Sequence, residues 1–176
     1  PTIASVAGTI NRADYTSLTG AKTYDGSAIL ASGQVTLTGV NSETFTVASA
    51  TADSANASLN SGATKFVSTG AVTGGGDYNA LNLAALTTNT ATINRADYTS
   101  LTGTKAYDGS AAFASGQLTL TGVNSETFTL SAATANSANA TANGGATAFV
   151  SAGTVTGGGD YNALNLAALT TNTATI

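Results

Sequence analysis

Any acid–base or metal chemistry in this chain would have to come from carboxylates, because the sequence contains no cysteine and no histidine. Without thiolate or imidazole, the ligands that dominate zinc, copper and iron–sulfur sites are missing. No Ser-His or Cys-His nucleophile can be assembled either. The acids themselves are few. Asp14, Asp25, Glu43 and Asp77 recur as Asp97, Asp108, Glu126 and Asp160, whereas Asp53 is replaced by Asn136. Calcium takes about six to eight oxygens, usually from closely spaced acids, and no D-x-D-x-D run is present. A glycosidase needs only two carboxyl groups, yet duplicate copies of such a pair on adjacent small modules would be an odd way to build an enzyme. The expectation is no catalytic residue, no metal and no cofactor.

Other reactive candidates are equally bland. Lys22 and Lys105 occupy matching positions; a Lys–Asn amide crosslink would suit a force-bearing chain, but a lysine beside a turn is ordinarily a solvated charge. Asn56-Ala57-Ser58 and Asn139-Ala140-Thr141 fit the glycosylation sequon, a match that arises readily by chance in an Asn/Thr-rich chain. The Gly triplets at 74–76 and 157–159 lack the Lys-Ser/Thr that would make a phosphate loop. Five Lys+Arg and a net charge of −4 leave no basic stripe for nucleic acid. No apolar run approaches the roughly 20 residues of a membrane span, and no signal peptide is visible.

The elements that would hold these residues come in duplicate. Residues 11–93 begin NRADYTSLTG and end TTNTATI, and 94–176 do the same, an offset of 83 without a gap. The opening PTIASVAGTI ends like 90–93 and 173–176, so 1–10 reads as the last strand of a preceding module in a longer array. The copies differ conservatively at Val35/Leu118, Val47/Leu130 and Ile29-Leu30/Ala112-Phe113, as core positions tolerate when volume is roughly held. Variation is densest over 47–71, where Leu59 becomes Ala142 and Lys65 becomes Ala148. A site that needed Asp53 or Lys65 would be missing from the second copy.

Charged residues are only 8% of the chain, and disorder usually comes with high net charge. Regularly placed Val, Leu, Ile, Thr, Tyr and Phe instead predict thin, mostly-β modules. Residues 9–20 read as an entering strand, and 22–28 as a turn around Asp-Gly. The alternation of Val35 and Leu37 with Thr36 and Thr38 predicts a half-buried strand over 33–40. Asn41-Ser42 turns the chain into 43–47, with Phe45 and Val47 on one face. Residues 50–64 and 133–147 read as a long loop or short helix, 65–72 as a strand, 74–81 as a hairpin turn and 81–93 as closing strands. With no Gly/Ser/Pro linker at the joint, the closing strand of one module should run almost directly into the opening strand of the next.

The ordered set KTYDGSA, GQVTLTGV, ETFTV, GGGDYNALNL and TATI resembles the YDG-type repeats, related to the MBG repeats, of large bacterial surface adhesins. The resemblance covers nearly all of 11–93 and 94–176. It is carried by Tyr24-Asp25-Gly26 and Tyr107-Asp108-Gly109, with Asp77-Tyr78 and Asp160-Tyr161 after their glycines. It implies β-grasp-like modules arranged end to end, at the bacterial cell surface, in exoproteins of the filamentous-haemagglutinin and autotransporter kind; α+β or immunoglobulin-like sandwich modules are the alternatives. It supplies no catalytic residue. The joint departs from the pattern, reading INR where such repeats often read ITP.

In the YDG triplets the expected roles are structural: tyrosine against the core, aspartate bonded to turn amides, glycine in a special backbone angle. The function expected is a non-catalytic stalk or spacer that projects a distal binding region. Its partners would be neighbouring repeats of the same chain, in a monomer that touches neither nucleic acid nor membrane. The alternative is a module that binds a host or matrix glycan or protein through 50–64 and 133–147.

Overall fold

The computed structural model describes residues 7–57, 63–140 and 147–176. Strands take up 46% of the described residues and no helix among them reaches seven residues, so the fold is mostly β. Two compact units are present. Among the described residues, unit 1 takes 7–22, 28–54 and 63–92, and unit 2 takes 23–27, 55–57, 93–140 and 147–176. The division follows the repeat except that 23–27, 55–57 and Ile93 group with the second copy.

The first copy supplies β1 (Ser17–Thr23), β2 (Ile29–Ala31), β3 (Val35–Thr38), β4 (Thr44–Val47) and β5 (Ser49–Ala52). It continues with β6 (Ala63–Thr64), β7 (Phe66–Thr69), β8 (Val72–Thr73) and β9 (Thr88–Asn94). These form a six-stranded sheet in the order β6-β9-β1-β3-β4-β8 and a three-stranded sheet β2-β5-β7. The second copy supplies β10 (Ser100–Thr104), β11 (Ala112–Ala114), β12 (Leu118–Thr121) and β13 (Thr127–Leu130). After them come β14 (Ala132–Ala135), β15 (Phe149–Ala152), β16 (Val155–Thr156) and β17 (Thr171–Thr175). Their sheets, β16-β13-β12-β10-β17 and β11-β14-β15, repeat the same order. The edge pairing of β6 with β9 is represented there by a bridge between Thr147 and Ala174.

The period-2 pattern explains how the sheets face each other. In unit 2, Leu101, Leu120 and Leu130 of the larger sheet share one buried cluster with Phe113, Ala133, Ala135 and Phe149 of the smaller one. Each buried leucine or phenylalanine contributes about 1.5–3 kcal/mol. The alternate residues are threonine and serine and form the outer face, where Thr102 pairs with Thr119 and Ser100 with Thr121. Asn89 joins the sheets in unit 1: its Nδ2 donates to the Phe66 carbonyl at 3.0 Å and its Oδ1 accepts from the Phe66 amide at 2.9 Å. Asn172 does the same for Phe149 at the same two distances.

Several local expectations change. Residues 9–16 are not a strand; only Ala13 bridges, to Tyr78. The chain therefore leaves β9 and makes five irregular residues, 95–99, before β10, because Ala96 must reach Tyr161 instead of continuing a ladder. Residues 49–52 and 63–64 are strands rather than loop or helix. The stretch 65–72 breaks at Gly70 into β7 and β8, which serve different sheets. Hence 74–81 is not a hairpin turn: β8 pairs with β4. Within 81–93 only the end is strand, from Thr88. The expected strand over 1–10 lies partly outside the described residues, and 7–10 is irregular.

The lysines are a further correction. Lys22 is 5% exposed and Lys105 7%, because strand alternation puts Lys22 on the same face as Leu18 and Gly20. The aliphatic stem covers core and the ammonium finds oxygen at the rim. Lys22 Nζ donates to the Ile29 carbonyl at 2.9 Å. Lys105 Nζ donates to the Ala112 carbonyl at 2.8 Å and to Asp108 at 2.7 Å, and lies 5.3 Å from the centre of the Phe113 ring.

Candidate functional site

The residues of most interest surround Glu126 in unit 2. The short turn Val123–Ser125 between β12 and β13 has Asn124 at φ 53° and Ser125 at φ 61°, which sets Glu126 at the start of the β13 hairpin. Tyr161 lies across this turn. Its hydroxyl accepts from the Val123 amide at 2.9 Å and donates to Glu126 Oε2 at 2.5 Å. Gly122 makes the crossing feasible, since a Cβ there would overlap the Tyr161 ring. Tyr98 stacks on Tyr161 with ring centres 4.8 Å apart, and Phe128 meets both edge-on. Gly158 in turn leaves room for the Tyr98 hydroxyl, which gives the middle of the Gly triplet its reason.

A fourth ring completes the cluster. Tyr24, from the 23–27 segment of unit 2, meets Tyr161 edge-on at 5.6 Å and donates its hydroxyl to Glu126 Oε1 at 2.8 Å. The Asn124 side-chain amide donates to the Asp25 carbonyl. One carboxylate thus accepts two phenols. Loss of solvent and the bond to Glu126 push the Tyr24 phenol up to about 12, and the same two causes raise Tyr161 further. Desolvation alone raises Tyr98.

Unit 1 builds three-quarters of this arrangement. Tyr15 stacks on Tyr78 at 4.8 Å with Phe45 edge-on to each. The Tyr78 hydroxyl accepts from Val40 at 3.0 Å and donates to Glu43 Oε2 at 2.5 Å; desolvation, then that bond, raises its pKa. Gly39 and Gly75 take the places of Gly122 and Gly158.

Both Asp-Gly turns form as the sequence requires. Gly26 and Gly109 have φ of 77° and 79°, and Asp25 and Asp108 each accept from the amide two residues on at 3.0 Å. The Lys105 ammonium and then that amide hold the Asp108 carboxyl below its usual range. Asp77 and Asp160 serve through their carbonyls, which accept from Ala13 and Ala96 at 3.0 and 3.1 Å. So Tyr24, Asp25, Asp160 and Tyr161 come together in unit 2, whereas Tyr107, Asp108 and Gly109 stand apart, with Tyr107 64% exposed. Tyr15, Tyr98, Glu43 and Glu126 complete these clusters; in the sequence Glu43 and Glu126 each follow an Asn-Ser pair, whereas Tyr15 and Tyr98 carry no comparable local signal. Asn56 and Asn139 are exposed, but the sequon residues Ser58 and Thr141 lie outside the described residues, as does Leu59.

Chemically, these carboxylates act as hydrogen-bond acceptors to neutral phenols, an arrangement suited to holding surfaces together. Among the described residues, no three acids gather into a metal-binding group, and no helix is long and apolar enough to cross a membrane. No known family model, curated protein or solved structure matches the chain.

Proposed function

We propose that the chain is a pair of non-catalytic spacer repeats from a bacterial surface adhesin, projecting a distal binding region into the extracellular space. The observation that supports this most is duplication of the internal framework. The Tyr–Glu bond, the Asn clasp between sheets and the Asp-Gly turn recur in both copies, while the side chains of Asp53 and Lys65 are replaced. Selection that keeps backbone scaffolding and lets surface chemistry drift fits a mechanical element built of repeated cooperative units. The working partners are neighbouring repeats, and the chain is a monomer at micromolar concentration.

Small-angle scattering tests the spacer role. An 83-residue unit has a diameter of roughly 30 Å, so end-to-end repeats make a particle at least roughly 60 Å long. A globular profile would remove the mechanism. Specific hits for this chain on a glycan array would favour instead the reading in which 50–64 and 133–147 bind a host ligand.

A further inference from the structure

Matching residues of the two copies differ in exposure in a consistent direction. Around Glu126, the side chains of Val123, Glu126 and Asp160 are half-buried; their counterparts Val40, Glu43 and Asp77 are exposed. On the other partner, Tyr24 is half-buried and Ala57 is 4% exposed, both within unit 2. Their counterparts Tyr107 and Ala140 are exposed, and they line one shallow depression with Asn139. Among the described residues, Glu126 therefore accepts two phenols, Glu43 accepts that of Tyr78, and the Tyr107 ring stands exposed.

We propose that the surface formed by Val40, Asn41 and Glu43, beside the buried Tyr78, is a docking site for the Tyr107–Gly109 turn of another copy of this chain. The contact is that made by Tyr24 within unit 2. Tyr107 donates its hydroxyl to Glu43 Oε1 and sets its ring edge-on against Tyr78, and Asn41 donates its side-chain amide to the Asp108 carbonyl. The anchored carboxylate and the backbone angles required are already in place. Glu43 is anchored through Oε2 by Tyr78, Asn41 holds the same left-handed angle as Asn124, and Gly109 the same turn as Gly26. A phenol donating to a carboxylate in a partly desolvated aromatic niche is stronger than a neutral pair, and an edge-on ring contact adds to it. Acceptor and donor surfaces lie on different parts of the chain, so the contact is head-to-tail and leaves one of each free after every addition.

Weak association is expected, with Kd of about 1 mM, because one turn and one depression make a small interface. The test uses the whole chain in two complementary forms. ¹⁵N-labelled Tyr107→Ala keeps the acceptor surface and lacks the ring; unlabelled Glu43→Gln keeps the ring. Titrating the second into the first should shift the amides of Val40, Asn41 and Glu43, saturably, while unlabelled Tyr107→Ala should give an at least roughly tenfold weaker effect. A nitroxide attached at Ser110→Cys on the titrant should broaden the same amides, which registers even small occupancy. Equal shifts from both titrants, or no broadening at Val40–Glu43, would overturn the proposal.

Discussion

At Gly122 a tyrosine ring rests on bare backbone, so the residue that looks least informative in the sequence decides whether the Tyr161–Glu126 bond can form. Gly122→Ala is expected to cost about 1–3 kcal/mol, the usual penalty of overpacking, and to lower Tm by several degrees. Gly159→Ala is the control, since its Cβ would enter open space; it should change stability by no more than about 0.5 kcal/mol. Thermal unfolding of the two variants checks both. Tyr24 gives a second expectation at this scale. Its folded-state pKa of about 12 exceeds the ordinary phenol value of about 10. Below pH 10 both states hold the proton and the contribution is complete; above it the unfolded state loses the proton first, so stability drains away as pH rises toward 12. Absorbance at 295 nm should show phenols that ionise late in the folded chain, and Tyr24→Phe should remove one of them and flatten the loss of stability over that window.

Between strands, the asparagine clasps carry more than their surface positions suggest. Asn172 supplies both a donor and an acceptor to the Phe149 backbone, a side chain acting as one rung of a ladder between sheets. Asn172→Ala leaves a partly buried amide and carbonyl without partners and should cost about 1–3 kcal/mol. Denaturant unfolding would check this, with Asn172→Asp as a second variant that retains the acceptor and loses the donor. The same residue shows where the sequence stops being legible. Val35 and Leu37 alternating with threonine announce a strand with one buried face, and Asp25-Gly26 announces its turn, because both signals are local. Asn89 and Asn172 carry no local signal, since their partners stand 23 residues away in another sheet. Lys22 was readable in principle from the register of Leu18 and Gly20, but its charge argued for solvent. The short strands β5 and β6 were hidden by Ala- and Ser-rich composition, where packing rather than propensity decides. Of the site, the Tyr-Asp-Gly and Asp-Tyr motifs were visible and their meeting was not, since nothing in the sequence places Tyr24 beside Glu126.

For the molecule as a whole, the same tyrosine does different work in the two copies. Tyr24 belongs to unit 2 and bonds its central carboxylate, while Tyr107 is mostly in solvent. Sequence identity between the copies would predict equal effects of mutation; position within the chain predicts unequal ones. Tyr24→Phe removes a hydrogen bond to a charged, half-buried acceptor, an interaction of about 1.5–3 kcal/mol. Tyr107→Phe removes a solvated hydroxyl and should change stability by no more than about 0.5 kcal/mol. Native-state amide exchange separates the units, because Leu101 and Leu120 report on unit 2 and Leu18 and Leu37 on unit 1. Tyr24→Phe should accelerate exchange at Leu101 and Leu120 by roughly tenfold or more, as a loss of about 1.4 kcal/mol requires when global opening governs exchange. Leu18 and Leu37 should keep their rates, since their unit gains nothing from the Glu126 contact. No acceleration at Leu101 and Leu120, or an equal effect of Tyr107→Phe, would mean that the 23–27 segment is not part of the cooperative core of unit 2. The stability of each repeat would then be set by its own 83 residues alone, and a neighbouring copy would contribute nothing to it.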